Sequence, residues 1–218
     1  MSNRLEKPKY IVLGLTKSLR HSKRILGRHK DLAIELRDVF EVSRLRKAAK
    51  ELLIFEVVEP SDPDVWFLIS FDIEGVRRKN GWGFRKATKE YTIIKEKMYW
   101  NLCGKIDYST YICPQNPPNI PEKYTQKIKT WTVKPYDIKT LEKMKKEIEN
   151  TVKWIVQKIQ EAKGKLHGKG ISKAYEIVDN ISELLRSKAA EKTSKLIGKE
   201  WKEELRKQKN SLLKELRR

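Results

Sequence analysis

Apolar positions change rhythm twice along the chain, and the changes divide it into three stretches. From about residue 10 to 53, Leu15, Leu19, Ser22 and Leu26 step by three and four, the spacing of one helix face. Leu32, Leu36, Val39, Phe40 and Leu45 follow with similar steps, so two helices are predicted there. From about 52 to 136 the pattern is strand-like. Leu52 to Val58 and Val65 to Ile73 are rich in β-branched and aromatic residues, with Pro60-Ser61-Asp62-Pro63 between them as a turn. Tyr91 to Lys97 and Ile106 to Cys113 read as two more strands around Asn101-Leu102-Cys103-Gly104, and Tyr124 to Val133 as a fifth. Beyond 137 the helical rhythm returns in Leu141, Met144, Ile148, Val152, Ile155, Ile159 and Ala162. After Gly164, Gly168 and Gly170, a second helix carries Ile171, Ala174, Val178, Ile181 and Leu185. A third carries Ile197, Trp201, Leu205, Leu212 and Leu216, a narrow seam that suits a partner subunit as well as the chain's own core.

These elements predict an α+β (or α/β) fold: a small central sheet flanked by helices, with a helical carboxyl-terminal extension. Residues 1–136 would form a basic helical segment plus a strand-rich core, and 137–218 a helical region packed on that core and reaching to partners.

Charge narrows the function. The 218 residues hold 49 Lys and Arg against 29 Asp and Glu, a formal net charge of +20. The excess is spread: 27 basic and 16 acidic residues fall in 1–136, and 22 and 13 in 137–218. Such a chain repels itself unless a polyanion absorbs the charge. No stretch approaches the roughly 18 apolar residues of a membrane span, and the amino terminus lacks a signal-peptide pattern. Two cysteines, Cys103 and Cys113, do not make a disulfide framework, which predicts a reducing, intracellular compartment. Abundant Lys and Glu with few Gln suit a thermophilic source.

Two segments stand out as phosphate-binding candidates. Lys17, Arg20, Arg24 and Arg28 repeat at helical steps with no carboxylate among them, a row that can follow a phosphate backbone or simply face water. The segment from Arg77 and Arg78 through Trp82 to Arg85 and Lys86 interleaves five cations with Trp82 and Phe84. Its rings can stack on bases or wedge between them, or else tuck back into the core. There is no phosphate-cradling glycine loop and no Cys-x-x-Cys pair, and His21, His29 and His167 are scattered.

Gly104-Lys105-Ile106-Asp107 opens one strand, Lys127-Ile128-Lys129-Thr130 lies on a later one, and a long amphipathic helix follows, with His29 upstream. This order resembles the RecB-like branch of the PD-(D/E)xK nuclease superfamily, above all its CRISPR-associated exonucleases. The resemblance implies a divalent-metal site, with Mg²⁺ as the cofactor, held by His29, Asp107 and the acid of an E-x-K strand. It also implies a lysine, Lys129, assisting the attack of water on phosphate. The departures weigh against activity. Lys127 stands where the acidic ligand belongs, and a cation there repels the metal. Two cysteines cannot hold the family's iron–sulfur cluster. A second register, Asp137-Ile138-Lys139, keeps an acid, but Asp137 there is also placed to cap a helix.

A nuclease scaffold without its metal site is therefore expected, similar to the degenerate nucleases reused as nucleocapsid proteins by rod-shaped viruses of hyperthermophilic archaea. The expected function is non-enzymatic, cofactor-free and sequence-independent: coating of nucleic acid, with double-stranded DNA favoured, by self-associating copies. The alternatives are an active Mg²⁺-dependent nuclease using Asp107, Asp137, Lys139, Lys129 and His29, and an RNA-binding or CRISPR-associated module.

Overall fold

Strand β7, the last of the sheet in sequence, lies at its centre. In the computed structural model, the described residues are 8–14, 33–40, 42–43, 52–62, 64–73, 89–107, 110–116, 120 and 125–217. The strands are β1 (Tyr10–Gly14), β2 (Ala33–Leu36), β3 (Leu52–Val57), β4 (Trp66–Ile73), β5 (Gly104–Asp107), β6 (Thr110–Cys113) and β7 (Thr125–Pro135). They form one sheet in the order β2-β1-β3-β7-β4-β6-β5, and every neighbouring pair is antiparallel. The helices of ten residues or more are α1 (Lys89–Trp100), α2 (Ile138–Lys163), α3 (Lys169–Arg186), α4 (Lys188–Ile197) and α5 (Glu200–Leu216). An antiparallel sheet followed by a run of helices makes the fold α+β rather than α/β.

Alternation along β4 shows why the first half of its sequence is apolar. Trp66 and Leu68 point to one face, where they join Ile11, Leu13, Leu53, Phe55, Ile106, Ile112 and Val133 beneath Met144 and Ile148 of α2. Ile69 and Phe71 point to the other, packing with Tyr111 and Cys113 under Ile94, Met98 and Tyr99 of α1. Both faces are covered there, and polar residues enter the strand only at Ser70 and Asp72. The α2 helix, about 39 Å long at 1.5 Å per residue, serves two cores. Its first half covers the sheet. Its second half, from Val152 to Ala162, meets Ala174, Val178 and Ile181 of α3 and Trp201, Leu205 and Leu212 of α5.

Several sequence expectations need correction. Residues 33–36 form a strand, not part of a second helix, and Val39 and Phe40 are exposed rather than core. The row Leu15 to Leu26 lies outside the described residues. Tyr91 to Lys97 belongs to α1, because Tyr91, Ile94 and Met98 recur at helical spacing and bury themselves against the sheet. Ile106 to Cys113 spans the β5–β6 hairpin instead of one strand. The last predicted helix is two, broken at Gly198, whose φ of 90° is one that side-chain-bearing residues rarely adopt. Its apolar seam is taken up within the chain, for Trp201, Leu205 and Leu212 are all buried. Leu141 and Ile171, placed on buried stripes, are exposed. Finally, Cys103 and Cys113 form a disulfide joining the end of the α1 turn to β6.

Candidate nucleic-acid interface

The amino-terminal end of α2 is fixed by Asp137, whose carboxylate accepts the Thr140 backbone N–H at 2.7 Å. From there α2 buries Met144, Ile148, Thr151, Val152, Ile155 and Ile159. The 3.6-residue repeat then dictates what faces away. Lys139, Lys143, Lys146, Asn150, Lys153, Gln157 and Gln160 step by four and three along the side opposite the core, without a carboxylate among them. The stripe is about 31 Å long. Lys139, Lys146 and Lys153 are exposed, and among the described residues none of them makes an ion pair. Lys143 is half-buried and pairs with Glu147. Glu142 and Glu149 flank the stripe on one side, so the positive charge forms a line rather than a broad patch. At its far end Gln160 donates to Gln208 of α5, and Lys163 donates to Gln208 and Ser211, each at 3.0 Å.

Of the residues singled out from the sequence, Asp107, Lys129, Asp137 and Lys139 are among those described. Lys17, Arg20, Arg24, Arg28, His29, Arg77, Arg78, Trp82, Arg85 and Lys86 lie outside the described residues. Asp107 ends β5 opposite Thr110, Thr110 is in register with Ser70 of β4, and Ser70 with Lys129 of β7. One row across the sheet thus joins the Asp107 and Lys129 positions, three strand spacings or about 14 Å apart. Lys129 Nζ lies 5.9 Å from the centre of the Trp131 ring. Asp137 stands past the other end of β7, and Pro135 lies six strand steps beyond Lys129, about 20 Å. Asp137 and Lys139 are therefore not brought beside Asp107 and Lys129, and the Asp137 carboxylate is engaged as a helix cap.

Charges elsewhere have local explanations. Asp62 pairs with Lys134 of β7 at 2.5 Å, and that hydrogen bond, with the Asp64 N–H, holds its carboxyl below the usual carboxylate range. Lys192 of α4 lies over the Trp66 ring, where burial lowers its pKa. Burial pushes the Tyr99 hydroxyl up to about 12, with Tyr91 and Glu147 adding to the effect.

The α2 stripe escaped the sequence reading although its signal was present. The same three-and-four stepping of cations that marks Lys17 to Arg28 recurs from Lys139 to Lys153. No protein-family model, curated protein or solved structure matches the chain. Among the described residues, no helix is long and apolar enough to cross a membrane.

Proposed function

We propose that the protein binds the nucleic-acid backbone without reading its sequence, coats duplex DNA in many copies, and does so without catalysis. The observation that carries this reading is the carboxylate-free stripe of α2, set in a chain whose charge of +20 runs through both halves. Lys139, Lys146 and Lys153 recur every seven residues, about 10.5 Å. That matches about three nucleotide steps at 3.4 Å of rise along one strand. Lysines act as point charges, suited to phosphate and blind to base identity. The RecB-like resemblance fits this reading as a scaffold without its metal site, since Lys127 stands at the acid position and Asp137 serves as a cap. An intracellular or virion-interior setting accords with the Cys103–Cys113 bond if the source is a hyperthermophile, whose intracellular proteins tolerate disulfides.

The test is a salt titration of binding to short duplexes of unrelated sequence. Three lysine–phosphate contacts, from Lys139, Lys146 and Lys153, alone give a slope of about −2.7 in log K against log salt, and contacts from the basic segments at 17–28 and 77–86 would steepen it to about −7. A slope near zero, or strong preference for one duplex in competition, rejects the reading. Tighter binding to RNA than to DNA at equal salt moves the assignment to RNA.

A further inference from the structure

Beyond the α2 stripe, α3 and α5 enclose a cleft of about 320 Å³ lined by Ser182, Leu185, Arg186, Arg206, Lys209 and Asn210. Helical spacing explains why these residues meet. Ser182, Leu185 and Arg186 sit three and four apart on α3, and Arg206, Lys209 and Asn210 do so on α5, so each helix turns one face to the gap. Three of the six side chains are cationic, two are neutral and polar, and none is acidic.

The local bonds keep those cations available. The Ser182 hydroxyl donates to the Val178 carbonyl at 2.7 Å. Its oxygen lies 3.5 Å from Lys209 Nζ, which draws that ammonium toward the cleft. Arg206 also pairs with Glu203, but the two side chains are 50% and 72% exposed. Water screens such a pair, and the guanidinium has further N–H groups to offer. Three positive charges around one concavity repel each other, and a bound anion removes that cost. The volume is about ten times the roughly 30 Å³ of one liquid water, ample for a phosphate group still attached to its chain.

We infer that this cleft holds one phosphodiester of bound nucleic acid. Arg186 and Arg206 supply forked donors to the phosphate oxygens, Lys209 a point charge, and Asn210 a neutral amide. The inference rests on the nucleic-acid reading, but it uses none of the α2 lysines.

The experiment compares the full-length wild type with R186A, R206A and R186A/R206A/K209A in duplex binding across salt. Because the cations share one phosphate, the triple substitution should flatten the slope by about 0.9 in all, and each single substitution by only a part of that. Between about 50 and 200 mM salt the wild-type advantage then shrinks about 3.5-fold. R186K/R206K should keep the slope yet bind more weakly, since the charge stays and the fork is lost. Circular dichroism melts check that every variant folds.

Wild-type binding with an unchanged slope in the triple variant overturns the cleft and spares the nucleic-acid reading. Absence of duplex binding by the wild type overturns both. Inorganic phosphate supplies the last arm. If it displaces duplex at stoichiometric concentration, and does so only when the three cations are present, the site belongs to a free anion and the phosphodiester assignment falls.

Discussion

The Asp137 carboxylate accepts the Thr140 backbone N–H at 2.7 Å, and the Thr140 hydroxyl in turn accepts the Ile54 backbone N–H of β3 at 3.0 Å. One short linkage thus caps α2 and fastens it to the sheet. Removing the cap with Asp137→Ala should cost about 1 kcal/mol. Thr140→Val, which leaves a buried N–H without its acceptor, should cost about 1–3 kcal/mol. Urea denaturation measures both. If Asp137 were instead a metal ligand, its replacement would leave stability intact and abolish Mg²⁺-dependent cleavage. We expect no cleavage by the wild type to begin with.

Lys139, Lys146 and Lys153 should act additively on nucleic acid and hardly at all on folding. Replacing all three with Ala is expected to flatten the salt slope by about 2.7, while each change shifts stability by no more than about 0.5 kcal/mol. A variant that melts like the wild type and keeps its slope would remove α2 from the interface.

Gly104 brings β5 close against the backbone of α2. A Cβ there would lie 3.1 Å from the Glu147 carbonyl carbon, the Glu147 Cβ and the Ile148 nitrogen. Helix backbone cannot step aside as a flexible side chain can, so Gly104→Ala should cost about 1–3 kcal/mol. Thermal melts of the variant would show a lowered midpoint, and an unchanged one would mean that the helix can shift.

Tyr99 gives the protein an alkaline limit. Its ring packs edge-on to Trp154 at 5.1 Å, and burial raises its pKa from 10.0 to about 12. The folded state therefore holds this proton more tightly than the unfolded chain does. Its contribution is complete below the ordinary value and is lost as pH rises from about 10 through about 12. Denaturation midpoints of the wild type should fall across that window, and those of Tyr99→Phe, which has no proton to lose, should fall less. Parallel curves would locate the alkaline loss elsewhere.

The Cys103–Cys113 bond closes a loop of ten residues' separation. Replacing both with Ser should cost about 2–3 kcal/mol on loop-entropy grounds. Reductant should destabilise the wild type but not that variant.

Helices α2 and α3 were legible because their periodicities are long and unbroken, and strands β3, β4 and β7 because they are rich in β-branched and aromatic residues. The misread elements share a cause. Tyr91-Thr92-Ile93-Ile94 is made of strand-favouring residues, yet its place over Phe71 and Tyr111 imposes a helix, and context overrides propensity. Ala33 to Leu36 carries spacing compatible with a helix face, and pairing with β1 decides it. The cysteines could not be paired from sequence, because their meeting depends on α1 lying over β6. The α3–α5 cleft was beyond reach for a like reason. Its cations stand about 20 residues apart, and the packing of two helices brings them together.

The position of β7 bears on how the chain assembles as it is made. Strands β1 to β3 and β4 to β6 are synthesised as two separate hairpin-like groups, each with an inner edge that only residues 125–135 can fill. Until that segment leaves the ribosome, both groups present open backbone edges, the kind of surface on which chains stick to one another. Insertion of β7 closes both edges at once, and α2 follows directly to cover the seam. Slow translation at any point before residues 125–135 have emerged would therefore lengthen the period in which nascent chains are prone to aggregate.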